Sequence, residues 1–586
     1  MGPEVAGSSG ASGSAPHHVQ RLARWRRFRE SSSISKRPFL NLSYSKLSCK
    51  AKFRALCALN CCWYILLSSC RFSSSHYGLS LFVPIRYLAD PRCVKVKSGS
   101  DYSLANNKPK QRSLLPRHCD LGMEQPKDVS TDFNTAWGCR EDAQTVAASV
   151  PHNEGTSPVE DTTIGIVGGG LVGLAAAVAL SQAGIPCRVF ERALAMRSSS
   201  QGVVALWNNG LRALAAIHPE LPAKVRAAGS EMLTVEPTII DAAGNVDSKV
   251  MEWGKMAEAQ YGQTSVMISW HNLQQALASL LPPGIVSCDR NFDGYHEERS
   301  SVLLRFKNGL QARCKAVLGC DGMFSGVCGQ MFPDAQFIDF GQVTWNALLP
   351  RQGLPPGSVI SNCTKRLNSS EEPAWSSFLN DAGSGDAYVQ VRVSDSEKSV
   401  SMSASLGRGG LGLAGSKAQM LKVAARRANI SEAVQAIDEA QLFERCMMAR
   451  VPHSTWLSAG GRVALMGDAA HGMHPSMGQG CNSSFEDVVE MAEALSSCDG
   501  DWSTALARYE AIRKPTTDLM QLFSNYVGAH YNKGEAAELS DQETRELSSW
   551  AQTFPSRGPP PTSADVVRKF DIAGYHGIKV SSRSQL

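Results

Sequence analysis

The segment TTIGIVGGGLVGLAAAVALSQAGIPCRVFER, Thr162 to Arg192, limits the possible folds more than any other part of this 586-residue chain. Ile164 to Val167 is a short apolar run of strand character, and the glycines follow at once as Gly168-x-Gly170-x-x-Gly173. Leu171 to Ala183 is rich in Ala and Leu, which favour helix. Gly184 stands where a helix C′ glycine stands. Cys187 to Phe190 reads as a second strand, closed by Glu191. Strand, glycine turn, helix, strand and terminal acid, in that order, predict an α/β fold with a Rossmann-like, three-layer domain.

Each part has a physical task. Gly168 permits the turn out of the strand, Gly170 lets a pyrophosphate approach the backbone, and Gly173 lets the helix pack on the sheet. The helix opens at Leu171 and Val172, and its unpaired N–H groups and dipole face the phosphates. Glu191, followed by Arg192, can accept from both hydroxyls of an adenosine ribose, and its charge repels a 2′-phosphate. A dinucleotide is therefore expected here. This half of the motif does not separate FAD from NAD.

The net charge of +5 hides a split. Met1 to Met123 carries 20 Lys and Arg against 5 Asp and Glu, which leaves 39 against 49 for the rest. The body is acidic, which argues against nucleic acid as its partner. The N-terminal stretch, with RLARWRRFRESSSISKRPF as its clearest piece, is basic, Ser-rich and poor in acids, as organellar transit peptides are. A plastid or mitochondrial address is expected from residues 1–160, with a cytoplasmic location as the alternative. The apolar run Ala55 to Cys70 is too short to span a bilayer, so no transmembrane segment is expected. The 17 cysteines form no C-x-x-C pairs, so neither a zinc framework nor a disulfide scaffold is expected.

A second unusual stretch is VALMGDAAHGMHPSMGQGCNSSFED, Val463 to Asp487. Turn-formers and polar groups directly follow an apolar strand. His471 and His474 lie i, i+3, but no third ligand is nearby, so no metal is expected. Glu486 and Asp487 fall in the first turn of a helix opening near Asn482, where acids suit the dipole, and helix capping is their expected role.

Three separated motifs resemble those of the FAD-dependent aromatic hydroxylase family, the group that includes p-hydroxybenzoate hydroxylase, kynurenine 3-monooxygenase, salicylate hydroxylase and zeaxanthin epoxidase. They are the glycine segment, AVLGCDGMFSGV (Ala316 to Val327), and GRVALMGDAAHGMHPSMGQGCNSSFEDVVEMAEAL. VVALWNNGLRAL is also similar to a family segment. The resemblance implies FAD as cofactor, with NADPH or NADH as a transient donor, since no second nucleotide motif is visible. It implies that Asp321 lies by the pyrophosphate and that Gly467 and Asp468 meet the ribityl chain. Pro475, Gly478, Gln479 and Gly480 would run under the isoalloxazine, with amides near Gly480, Cys481 and Asn482 at its N1–C2=O edge.

The implied chemistry is insertion of one oxygen atom from O2 into a small aromatic substrate through a C4a-hydroperoxyflavin. The alternatives are an isoprenoid or carotenoid epoxidase or hydroxylase, and a flavin-binding protein without turnover. No residue stands out as catalytic, and the sequence leaves the oligomeric state open. Trp270, Cys328 and Asn346 occupy positions where the family usually has arginine. The family architecture places FAD-domain segments at about 161–230, 312–330 and 460–527, and an interleaved mixed-sheet substrate lobe at 231–311 and 331–459. Residues 528–586 read as a polar tail, with SRGPPPTS as a linker. QVRVSDSEKSVSMSASLG reads as a hairpin, and MLKVAARRANISEAVQAID as helix.

Overall fold

The computed structural model describes residues 159–196, 202–241, 243–358, 360, 362–366, 375–394, 410–425, 428–529, 539–555, 561–570 and 578–582. The basic N-terminal stretch lies outside them.

The strand Val159–Val167 pairs in parallel with Cys187–Phe190 on one side and with Gln311–Gly319 on the other. Val286–Ser287 extends this sheet beyond Cys187–Phe190. Across Gln311–Gly319 the edge divides. Its first half takes the antiparallel strand Val302–Phe306, followed by Phe292–Glu297. Its last three residues take the parallel strand Val463–Leu465. The seven strands form an α/β sheet of Rossmann type with an antiparallel extension. Ile164, Ile166, Ala316 and Leu318 are completely buried, as strands covered on both faces require. The helix Leu171–Ala183 is apolar nearly all round and buried along most of its length, and Gly184 closes it in the left-handed conformation at φ 74°.

A second, nine-stranded mixed sheet is built around the fifteen-residue strand Gln336–Pro350. Its strands pair antiparallel except Asn362–Arg366 with Glu236–Ile240. The strands of the two sheets alternate along the chain. Val343, Trp345 and Ala347 join Val389 and Val391 in an apolar cluster with residues of the helices Ser416–Ala424 and Ala428–Ala436. Thr344 and Asn346 therefore point to the opposite face, opposite Arg392 and Gln390. Ser376 and Lys365 continue that polar row, and all of these residues are buried.

Two expectations need correction. The stretch 231–311 does not lie wholly in the second lobe. Val286–Ser287, Phe292–Glu297 and Val302–Phe306 are strands of the first sheet, and an apolar alternation does not say which sheet a strand joins. Residues 528–586 are not merely a polar tail. Leu547, Trp550, Val566 and Phe570 are buried against Phe523, Tyr526, Met473 and Met477, and Lys579–Ser582 pairs with the start of Gln336–Pro350. The amphipathic helix Asp541–Ala551, with its Ser540–Glu543 capping box, hides this role in a polar composition. The first half of the expected hairpin lies in the strand Asp386–Ser394, which pairs with Trp375–Gly383 and Gln342–Pro350. Residues 395–409 lie outside the described residues. No described helix is long and apolar enough to cross a membrane.

Candidate functional site

The glycine loop sits at the C-terminal edge of the first sheet. Gly168 has φ +109°, and a Cβ there would come within 2.6 Å of the Cys320 carbonyl. At Gly173 a Cβ would lie 1.9 Å from the Gly168 carbonyl. Gly170 is different, because nothing lies within 4 Å of its missing Cβ. It caps the helix Leu171–Ala183 without a side-chain hydrogen bond, so the first amides of the helix open onto free space. Glu191 Oε2 accepts from the Gly169 amide at 2.7 Å and Oε1 from the Ala193 amide at 3.0 Å. Gln274 holds the Gly169 carbonyl at 3.1 Å. The loop is thus braced on both sides before any ligand arrives.

A cavity of about 410 Å³ opens at this loop, with Gly168, Gly170, Glu191 and Arg192 on one side and Asp321 and Gly322 on another. Trp270, Arg290, Phe292 and Lys307 complete the wall. Asp321 Oδ2 accepts from the Gly326 and Val327 amides at 2.6 and 3.2 Å, capping the short helix Gly326–Met331. Its Oδ1 is buried and has no hydrogen-bond partner. Burial pushes this carboxyl above its usual range, against the hydrogen bonds that lower it.

The third motif follows the strand Val463–Leu465. Gly467 turns the chain at φ +59°, and a Cβ there would meet Val172 at 2.9 Å, which ties this loop to the glycine-loop helix. Asp468 opens a short helix to His471, and its side chain is exposed. Pro475–Met477 is a 3-10 turn, and Gly478, left-handed at φ 55°, starts the helix Gln479–Ser496. That helix begins three residues before the expected Asn482. Near Gly480 the closest atoms to an added Cβ are Asp468 Oδ1 and Met473 Cγ, both at 3.9 Å. Burial pushes the Cys481 thiol well up.

Asn482 has a structural role of its own. Its Oδ1 accepts from the Trp207 amide at 3.0 Å, and its Nδ2 donates to the Ala205 and Gly478 carbonyls at 2.8 and 2.6 Å. A Cβ at Gly210 would lie 1.8 Å from Asn482 Oδ1, so the Asn-Gly-Leu segment packs directly on this helix. Asn209 reaches Gln479 Oε1 at 2.8 Å.

The capping role expected for Glu486 and Asp487 is not what the structure shows. Both are completely buried. Arg513 holds Asp487 Oδ1 at 2.8 Å and Glu486 Oε2 at 2.8 Å. His471 Nε2 lies 2.5 Å from Asp487 Oδ2, and Asn209 donates to Glu486 Oε1 at 2.7 Å. Burial opposes ionisation of Asp487, but His471 and Arg513 outweigh it and hold the carboxyl below its usual range. The partner Arg513 lies 26 residues away, and a local helix rule does not see it. His474 is buried beside Gln342, 3.0 Å from its Oε1, and burial followed by the charges of Arg392 and Arg445 keeps its ring neutral. No group of three metal-ligating side chains occurs among the described residues.

Sequence reasoning missed Arg450, which is fully buried. Its Nε donates to the Asp468 carbonyl at 3.0 Å and its Nη1 to Cys328 Sγ at 3.1 Å. Nη2 donates to the Met323 carbonyl, and the guanidinium lies 4.9 Å from the Phe337 ring centroid. An arginine thus stands against Cys328, reaching it from the end of the strand Phe443–Arg450. It also missed Arg290 and Lys307, which follow short strands without any motif of their own.

The FAD binding domain family model matches residues 422–523. The chain is 27% identical over 390 residues to 3-amino-4-hydroxybenzoate 2-monooxygenase of Streptomyces cremeus, covering 66% of this chain and 91% of that one. It is 25% identical over 377 residues to aurachin C monooxygenase/isomerase of Stigmatella aurantiaca, covering 64% and 90%. It is 26% identical over 380 residues to the chloroplastic zeaxanthin epoxidase of Spinacia oleracea, covering 64% of this chain and 52% of that one. The structure of Klebsiella pneumoniae HpxO complexed with FAD and uric acid matches with a TM-score of 0.52 at 21% identity, covering 70% and 95%. The named relatives make the chain an FAD-dependent oxidoreductase, similar to the FAD-dependent flavoprotein monooxygenases.

Proposed function

We propose that this protein uses FAD and NADPH or NADH to insert one oxygen atom from O2 into a small aromatic substrate. The observation that carries the reading is the cavity joining open Gly170, Glu191 and the unpartnered Asp321 Oδ1. These residues fit a flavin dinucleotide, because a side chain at Gly170 would fill the space its phosphates need and Asp321 keeps an acceptor oxygen free.

In this reading Gly168, Gly170, Leu171, Val172 and Gly173 hold the diphosphate. Glu191 and Arg192 hold the adenosine ribose. Asp321 lies by the diphosphate, Gly467 and Asp468 meet the ribityl chain, and Pro475 and Gly478 to Asn482 support the ring. The bound flavin supplies hydride acceptance and O2 activation. The helix Gln479–Ser496 has no side-chain cap at its N-terminus, so its first amides favour negative charge at the ring edge. The polar row Thr344, Asn346, Gln390 and Arg392 gives a substrate hydrogen-bond partners in a buried setting.

The relative named as a 3-amino-4-hydroxybenzoate 2-monooxygenase supports an aromatic substrate. The likeness to zeaxanthin epoxidase supports an isoprenoid epoxidase as the second reading. Substrate-stimulated NADPH oxidation by the full-length protein tests the choice. Coupled product formation with hydroxylated or amino-substituted benzoates favours the first reading, and turnover of a carotenoid alone favours the second. The basic N-terminal stretch is proposed as an organellar address. A fluorescent fusion of residues 1–123 tests it, and a diffuse cytosolic signal would overturn it.

A further inference from the structure

The polar face of the second sheet carries two buried cations in one row. Thr344, Arg392, Ser376 and Lys365 lie in register across four strands, followed by Ile239 of the strand Glu236–Ile240. Residues in register share a face. Lys365 is 4% exposed and Arg392 7%. Arg392 Nε donates to Thr344 Oγ1 at 3.3 Å. Asp247, in register beyond Ile239, is exposed at the sheet edge. Glu444 lies on the opposite face, in register with Trp345 and 2.8 Å from its indole nitrogen.

The row meets the loop His474 to Gly478 at two places. The charge of Arg392 acts on the His474 ring. Ile239 packs with Trp207 and Trp253, whose rings meet edge to face at 5.6 Å, and a Cβ at Gly478 would lie 2.5 Å from Trp207 Nε1. Trp207 Nε1, Trp253 Nε1 and Ser376 Oγ are buried and have no hydrogen-bond partner among the described residues. Donors left open on the same face as two cations call for a ligand with acceptor oxygens. A carboxylate seated there takes charge-assisted hydrogen bonds from both cations.

We propose that Lys365 and Arg392 bind the acidic group of the substrate, so that this protein takes an aromatic carboxylate, with Trp207 and Trp253 against its ring. The proposal rests on the monooxygenase reading and deepens it, because it names the residues that select an anionic ring over a neutral isoprenoid.

The test uses the full-length protein at pH 6, with FAD and in parallel without it. Benzoate, 4-hydroxybenzoate and 3-aminobenzoate are titrated by calorimetry, each beside its uncharged amide. The wild type should prefer at least one acid to its amide by about tenfold or more, the scale of a charge-assisted hydrogen bond. K365M and R392M should each weaken that acid about tenfold and leave the amide unchanged, and R392K should recover part of the loss. The unliganded melting temperature of K365M should not fall, which separates lost recognition from a lost fold. Acids that bind no better than their amides, or not at all, would overturn the proposal. So would a preference that survives in both K365M and R392M. Protein that prefers an acid through these two residues but fails to hold FAD would sink the flavin reading and leave this assignment standing. Protein that holds FAD and shows no such preference would sink the assignment alone.

Discussion

Arg450 and Asp468 are joined by a hydrogen bond of 3.0 Å from the guanidinium Nε to the Asp468 carbonyl. The same guanidinium reaches Met323 and Cys328. One buried side chain therefore fixes the loop after Asp321 relative to the loop that carries Asp468. The two loops come from opposite ends of a 140-residue excursion through the second sheet, and nothing local in either would set their separation.

Removing that charge should be costly. R450Q leaves two carbonyls without their donor in a dry site and should lower the unfolding free energy by about 3–5 kcal/mol. R450K keeps the charge but cannot span three acceptors, so it should fall between. Urea unfolding followed by tryptophan fluorescence reads the order wild type, R450K, R450Q. Equal midpoints would mean that Arg450 is not the link between the loops.

Three glycines separate ligand room from packing. G173A and G210A would place a Cβ 1.9 and 1.8 Å from Gly168 O and Asn482 Oδ1, and both should destabilise the protein by about 1–3 kcal/mol or more. G170A meets nothing within 4 Å. It should leave the unliganded melting temperature unchanged while weakening FAD at least about tenfold. A G170A variant that binds FAD normally would show that the open space is not the phosphate cradle.

The Asp487 network gives a sign for acid stability. The folded carboxyl titrates below its unfolded value. Its contribution is therefore present above the unfolded pKa, about 3.9, and is lost as pH falls through the lower folded one. D487N should lose about 3–5 kcal/mol at neutral pH, because Arg513 loses one of its two carboxylates in a buried site. Its stability should also fall less steeply with acid than that of the wild type. Parallel urea midpoints of the two proteins between pH 3 and pH 6 would contradict this account.

Lys365 gives a slope of the same sign at higher pH. Burial pushes its ammonium down to about 7, with Arg392 adding to that and Cys363 opposing it. Between about pH 7 and its unfolded value near 10.4 the unfolded chain holds the extra proton, so stability rises with pH across that window. Below pH 7 the full penalty for the buried ammonium is present. K365M should raise the melting temperature at pH 6 and flatten the rise between pH 7 and 10. A melting temperature at pH 6 below that of the wild type would show that the amine is stabilised by its surroundings.

What could be read in the sequence follows from the range of the interactions involved. The glycine loop, its helix and the second strand lie within about thirty residues, and each residue there answers to a local rule, a turn, a helix start or a strand end. The left-handed glycines at 184 and 478 and the strand before Gly467 are likewise local. The parts that escaped notice are paired across the chain. Glu486 and Asp487 look like first-turn acids until Arg513 and His471 fold over them. Trp550 and Phe570 look like stray aromatics in a polar tail until Tyr526 and Met477 come alongside. The strands from Val286 to Phe306 alternate as any strand does, and only their partners decide which sheet they join.

The most direct test is the visible spectrum of the purified full-length protein with FAD, before and after anaerobic addition of NADPH or NADH. The account predicts a bound flavin whose absorbance near 450 nm is bleached by at least one of the two donors and returns when air is admitted. Protein that fails to hold FAD would contradict the central claim, whatever the likeness of its fold.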